Sequence, residues 1–324
     1  MKRIALPLLL ASTMLVKVAS AQSSSTPVIG YYKFDVPTGN SAWVSGFVTK
    51  KDFQGVPTSV VAGATSTINQ TGANFGSFPI HYIEIISGPK AGLILDILSN
   101  TSGSITVDAD TAALGLTGSE TYAVRKHATL GTLFAGGAGL AAGSDNVTIF
   151  DTTGGSVVYS YNGAGWEDAL TGDPGDDAII YPGQGFVITN GSASSVQVTF
   201  GGNEVSYVKT GPTTVATYAA ATNLVGLVNP LVSTAPSDPI FATAQNGLGS
   251  LGLVASLTPG SDQIGTLSLD GSLGLTGVYT NNGSNIEDAL SGDDATAVPV
   301  RNGAAFTITP GGADVSVTLP QLHP

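Results

Sequence analysis

Residues 183–200 read Gly183-Gln184-Gly185-Phe186-Val187-Ile188-Thr189-Asn190-Gly191-Ser192-Ala193-Ser194-Ser195-Val196-Gln197-Val198-Thr199-Phe200. A β-branched and aromatic run, a cluster of Gly, Asn and Ser, and a second run form a strand–turn–strand pattern. In the second run Val196, Val198 and Phe200 alternate with polar Gln197 and Thr199. That period of two marks a strand with one buried face.

The same grammar extends in both directions. Ala42–Val48, Ile80–Ile86, Leu93–Leu98, Val157–Tyr161, Gly185–Thr189, Val196–Phe200 and Val315–Leu319 read as strands between Gly, Asn, Asp and Pro punctuation. No long helical periodicity interrupts them. Two short helical turns are expected, one over Asp110–Leu114 with Asp110 as cap and Gly115 as stop. The other covers Trp166–Leu170 and stops at Gly172. The fold class is therefore all-β, of the sandwich or barrel kind.

Quoted against the rest of the chain, the opening stretch recurs. Gly183–Thr189 returns as Gly303-Ala304-Ala305-Phe306-Thr307-Ile308-Thr309, and Val196-Gln197-Val198 as Val315-Ser316-Val317. Glu167-Asp168-Ala169-Leu170-Thr171-Gly172-Asp173 returns as Glu287-Asp288-Ala289-Leu290-Ser291-Gly292-Asp293, and Gly143-Ser144-Asp145 as Gly260-Ser261-Asp262. Four matches in one order at nearly constant spacing describe two copies of one β-sandwich-like module. Their limits are placed at 127–211 and 212–324. The preceding part, 22–126, is different. Its strands are joined by turns such as Ser87-Gly88 and Ser99-Asn100 and predict a meander or small barrel.

Met1-Lys2-Arg3, an apolar run from Ile4 to Val16 and Val18-Ala19-Ser20-Ala21 have the three parts of a bacterial secretory signal, with cleavage expected after Ala21. The apolar run is too short to span a membrane, and no other stretch is long enough. Without cysteine, stability must come from burial and hydrogen bonding rather than disulfides.

Charge is sparse and one-sided. The full chain carries a formal −12, and residues 127–324 hold only Lys209 and Arg301 against 16 acids. Such a surface repels phosphate backbones and excludes nucleic acid as a partner. It suits solubility or the binding of cations.

Motifs for chemistry are thin. Gly247-Leu248-Gly249-Ser250-Leu251-Gly252, with Asp270 beyond, matches a dinucleotide-binding spacing, but no helix is expected after it. His81, His127 and His323 are too few and scattered for zinc. His127 is read as a residue at a module junction. No GxSxG elbow is present, and nothing in sequence brings a serine to His81 or His127.

Glu167 with Asp168, repeated as Glu287 with Asp288, offers carboxylates for glycoside cleavage. Adjacent residues on a helical turn diverge, so acids in the first turn of a helix are the preferred reading. Asp173, Asp176 and Asp177, with Asp293 and Asp294 in the second copy, are candidate calcium ligands because clustered loop carboxylates suit a hard cation. Turn-forming aspartates are the competing reading.

Comparing the copies isolates three aromatics. Tyr161, Trp166 and Tyr181 stand where the second copy has Asn281, Ile286 and Arg301. Such a set can stack on sugar rings, or pack the first module against a neighbour. The N-terminal Val28–Val36 is expected as a strand, either closing its own domain or adding to a sheet of another copy.

Several of these elements occur together. Gly30-Tyr31-Tyr32-Lys33, Ser87-Gly88 with Gly92, Ser99-Asn100, Thr129–Phe134, Tyr159-Ser160-Tyr161 before Trp166, Pro182–Phe186 and Asn223-Leu224-Val225-Gly226 span most of the mature chain. In this combination the chain resembles an uncharacterised family of exported, mostly β bacterial proteins. The resemblance implies one exported β-protein and brings no activity or catalytic residue with it. The expectation is a secreted, non-catalytic surface protein, structural or adhesive and capable of self-assembly. Sugar binding by Tyr161, Trp166 and Tyr181, with a surface polysaccharide as partner, is the first alternative and glycoside hydrolysis the second.

Overall fold

The computed structural model describes residues 31–45, 49–151, 155–201, 212–219, 221–226, 247–267, 275–300 and 305–319. These fold almost entirely into antiparallel strands, as the periodicity predicts. The signal segment, His323, Asp270, Arg301 and residues 28–30 of the expected N-terminal strand lie outside the described residues.

The first module is a two-layer sandwich. One layer is a five-stranded sheet in the spatial order Trp166–Asp168, Ser156–Tyr161, Asn146–Phe150, Gly185–Thr189, Ser41–Ser45. The other pairs Tyr31–Val36 with Val196–Gly201, register Val36 to Val196. Between them Val44, Val147, Phe186, Ile188, Val36 and Val198 form the core, closed by Leu130, Phe134 and Trp166.

The second module repeats this plan. Its five-stranded sheet runs Asn223–Gly226, Ala305–Thr309, Gln263–Leu267, Leu275–Asn281, Ile286–Asp288, and Thr213–Thr217 pairs with Val315–Leu319. Corresponding strands therefore pair with corresponding partners. Ser45 lies opposite Gly185 as Gly226 lies opposite Ala305, and Val36 opposite Val196 as Thr217 opposite Val315. A buried aspartate repeats too. Asp145 accepts hydrogen bonds from the Ala141 and Gly191 amides, and Asp262 from those of Thr258 and Gly311. Each carboxylate ties the loop before the module's central strand to the turn after the neighbouring strand, Gly185–Thr189 or Ala305–Thr309, so the repeated Gly-Ser-Asp is structural.

These pairings change the linear picture of three consecutive blocks. Strands Tyr31–Val36 and Ser41–Ser45 precede the N-terminal sheet in sequence, yet both belong to the first module. The intervening unit is thus inserted into that module, after its second strand. It is an open seven-stranded sheet in the order Lys51–Gly55, Tyr122–Lys126, His81–Ile85, Ile94–Asn100, Ser104–Val107, Ser66–Asn69, Ser59–Val61. Three consecutive strands, His81–Val107, form the expected meander, and the two outermost strands do not pair into a closed barrel. Ile83, Leu95, Ile105, Val107, Tyr122 and Val124 build its own core.

Asp110–Leu114 is a capped turn as expected. The Asp110 carboxylate accepts the Ala112 and Ala113 amides, and Gly115 takes φ +74°. The turn expected at Trp166–Leu170 is instead an edge strand, Trp166–Asp168, paired with Tyr159–Tyr161. Asp168 halts it by accepting the Leu170 and Thr171 amides, and Gly172 turns the chain at φ +77°.

The two modules meet through equivalent surfaces. The Gly185–Thr189 and Ser41–Ser45 strands face Asn223–Gly226 and Ala305–Thr309 around Val187, Leu224 and Ala305. The approach is close: a side chain on Gly185 would stand 2.8 Å from the Ala305 methyl, and one on Gly226 2.5 Å from the Ser45 side chain. Because these are matched positions in the two copies, the contact has pseudo-twofold character. The inserted unit touches both modules. The His127 amide donates to Ile80, and Thr214 donates its amide to the Gly92 carbonyl of the inserted unit.

Candidate functional site

Where the three units meet they leave a cleft of about 320 Å³. The inserted unit supplies Leu93–Asp96 and Asp108. The first module supplies Phe150, Asp151, Tyr181, Pro182 and Gln184, and the second Thr214–Ala216, Tyr218, Thr222–Val225 and Ser316. Clefts of this size at domain junctions are the usual places for small ligands.

The polar floor is set by strand geometry. Along Ile94–Asn100, Leu95 and Ile97 turn into the inserted unit's core, so Asp96, between them, points to the opposite face. In the first module Ala128 pairs with Ile180, which brings the next residues out, His127 and Tyr181, into an edge-on ring contact at 5.0 Å. Tyr82, paired with Asp96 across the sheet, closes the other side of the imidazole at 4.7 Å. Asp96 is thereby gripped twice. Its Oδ2 accepts the Tyr181 hydroxyl at 2.6 Å and its Oδ1 faces His127 Nε2 at 3.0 Å.

Charge follows from those contacts. Burial pushes the Asp96 carboxyl up, but the hydrogen bonds from His127 and Tyr181 outweigh it and leave its pKa below the ordinary carboxylate value. Burial, then the hydrogen bond to Asp96 and that group's negative charge, all push Tyr181 well above an ordinary phenol. A carboxylate has no proton to give, so the His127 ring presents Nε2–H to Asp96. Its buried Nδ1 finds no hydrogen-bond partner among the described residues.

The residues singled out in sequence fare unequally. Trp166 is 2% exposed and packs in the first module's core against Phe134 and Tyr161. Tyr161 leans on that core and donates its hydroxyl to Gly163. Only Tyr181 reaches the cleft. The three aromatics form no common platform, because in a strand-edge hairpin the large ring was needed to fill the sandwich interior.

Nor do the loop aspartates converge. Among the described residues no group of three His, Asp or Glu side chains is arranged to hold a metal. Asp173 accepts from the Thr171 hydroxyl, Asp176 accepts the Trp166 amide, and Asp294 accepts from Thr296. Asp177 is exposed, and Asp293 donates its amide to Ser291. Glu167 and Glu287 take up matched bonds from Asn162 and Asn282. Asp168 and Asp288 both terminate edge strands.

The glycine-rich run is packing rather than a phosphate cradle. Leu248, Leu251 and Leu253 are fully buried, and a side chain on Gly249 would meet Thr296 at 2.1 Å. His81 faces Asp52 at 3.2 Å, and burial lowers its pKa despite that carboxylate.

Sequence reasoning missed Asp96, Asp108, Phe150, Asp151 and Tyr218 as cleft residues. The one available signal was the polar Asp96 inside the apolar run Leu93–Leu98. No family model, no curated protein and no solved structure matches the chain.

Proposed function

We propose that the chain is an exported, non-catalytic binding protein whose junction cleft holds a small molecule. The observation that carries this reading is the cleft itself, with apolar walls and a hydrogen-bonded carboxylate floor contributed by three separately cored units. A binding role is supported by the state of the floor. Asp96 is favoured as carboxylate and Tyr181 as phenol, so the pair neither takes up nor releases a proton near neutral pH.

Ala216 lines the cleft from an exposed position, so Ala216→Trp fills its mouth without touching a core. A small-molecule library is screened by thermal shift against both proteins. Compounds that raise the midpoint of the native protein and not of Ala216→Trp support the reading. Absence of any such compound refutes it.

A second reading, adhesion or assembly at a surface, is favoured by one observation. Leu170 and Leu290, matched residues of the two copies, are 93% and 97% exposed at the tips of hydrogen-bonded turns. Leu170→Ser with Leu290→Ser then abolishes surface attachment or assembly while leaving stability within about 0.5 kcal/mol. Unchanged attachment removes this reading. The first N-terminal strand is already paired within its own chain, so strand exchange between copies would have to displace Val196–Gly201.

A further inference from the structure

We propose that the ligand of the junction cleft is a compact organic cation, an amine or quaternary ammonium carried on a small apolar body. The inference rests on the cleft being a ligand site and adds the chemical class.

The argument is an inventory of what the walls still offer. Donors at the floor of the cleft are committed, and the other side-chain donors on its lining, Thr214, Tyr218, Thr222 and Ser316, are neutral hydroxyls that can turn a lone pair to a ligand as acceptors. The Tyr181 hydroxyl is given to Asp96 at 2.6 Å, and the Gln184 amide nitrogen to the Phe150 carbonyl. Asn223 gives its amide nitrogen to the carbonyls of Tyr218, Ala221 and Ile308, and accepts the Tyr218 amide on its oxygen. Acceptors remain in surplus. A carboxylate has about four lone-pair sites, and Asp96 carries two bonds. Asp108 adds a second carboxylate on the rim, Asp151 adds negative charge although its carboxylate already accepts the Gly155 amide, and no Lys, Arg or His is among the described residues lining the cleft.

A neutral polyol needs donors and acceptors in comparable number, and an anion needs donors. A cation needs only acceptors and negative potential, which are what these walls supply. The apolar part of the lining fits the remainder of such a ligand. Phe150, Tyr181 and Tyr218 present aromatic rings, whose faces attract alkylammonium groups, beside Leu93 and Leu224. The surrounding modules are acidic, so the long-range field concentrates cations at the mouth.

The test is calorimetric titration of the full mature chain with two matched pairs of probes. Choline is compared with dimethylbutanol, its uncharged carbon isostere, and benzylamine with benzyl alcohol. At least one cation is expected to bind at least tenfold more tightly than its neutral partner. Its affinity should fall about fivefold in Asp108→Asn and vanish in Ala216→Trp. Asp108 is exposed and, among the described residues, only its backbone amide is bonded, to the Asp96 carbonyl, so the Asn variant keeps the fold. Equal binding of cation and isostere, both lost in Ala216→Trp, overturns the charge inference while leaving the cleft a ligand site. No binding by either cation also overturns it. The cleft reading then stands or falls separately on the library screen.

Discussion

Tyr181→Phe removes one oxygen from the floor of the junction and isolates one of the bonds that join the first module to the inserted unit. The bond is short, 2.6 Å, and its acceptor is charged. Hydrogen bonds to charged groups contribute roughly 1.5–3 kcal/mol. The Asp96 side chain is 42% exposed, so water replaces part of the lost donor and the expected cost is about 1–2 kcal/mol. The pH dependence has a definite sign. Tyr181 is raised above its ordinary value in the folded chain, so its contribution is complete below the unfolded pKa and is lost as pH rises through the alkaline range. Above the ordinary tyrosine value of about 10, the native protein loses about 1.4 kcal/mol per pH unit that Tyr181→Phe does not lose. The gap between the two should therefore close near about pH 11. Tyr82 and Tyr122 are also raised by burial but are common to both proteins and cancel in the difference. Urea unfolding at a series of pH values reads the gap directly. Equal stability at neutral pH, or a gap that stays constant into the alkaline range, refutes the assignment of this bond.

Three further outcomes are expected. Trp166→Ala should cost about 3–5 kcal/mol in unfolding experiments, because the indole is buried in the sandwich core; an unchanged midpoint would return it to the surface. Glu84→Leu leaves Arg125, 1% exposed and bonded to Glu84 at 2.6 Å, without its counter-charge, and should cost about 3–5 kcal/mol by urea titration. Gly92→Ala, at φ +94° with its new methyl 2.6 Å from the Pro212 carbonyl, should cost about 1–3 kcal/mol and loosen the second module from the inserted unit. Faster proteolysis between the two units would register that loosening, and native-like resistance would contradict it.

How much of this was legible in the sequence depends on the range of the interaction. Val315–Leu319 has the bounds that alternation gave it, since a strand with one buried face is a local pattern, and Gly185–Thr189, buried on both faces, has those that its β-branched and aromatic run gave it. The repeat was visible where both copies keep the same turn chemistry, Asp168 with Gly172 and Asp288 with Gly292. The insertion was not visible. Tyr31–Val36 and Pro212–Thr217 share neither turn residues nor side chains, and their equivalence exists only in which strand each one pairs with. Tyr181 was singled out for a platform it does not form. Its true partner, Asp96, is 85 residues away, and no periodicity carries information over that distance. Trp166 misled for a related reason. A residue unique to one copy can mark a surface or a refilled core, and only packing distinguishes them.

The nested arrangement sets a timetable for the chain as it is made. The first two strands of the first module emerge early, but their partners, Gly185–Thr189 and Val196–Gly201, come only after the whole inserted sheet. Until then two strand edges wait exposed, which is where wrong pairings between chains begin. The inserted unit shortens the wait. Its first and last strands pair with each other, Lys51 opposite Arg125, so once folded it returns the polypeptide to nearly the point where it left. To the half-made module, the completed insert then acts as a tight hairpin, and most of the entropy of closing so long a loop has already been spent in folding the insert itself.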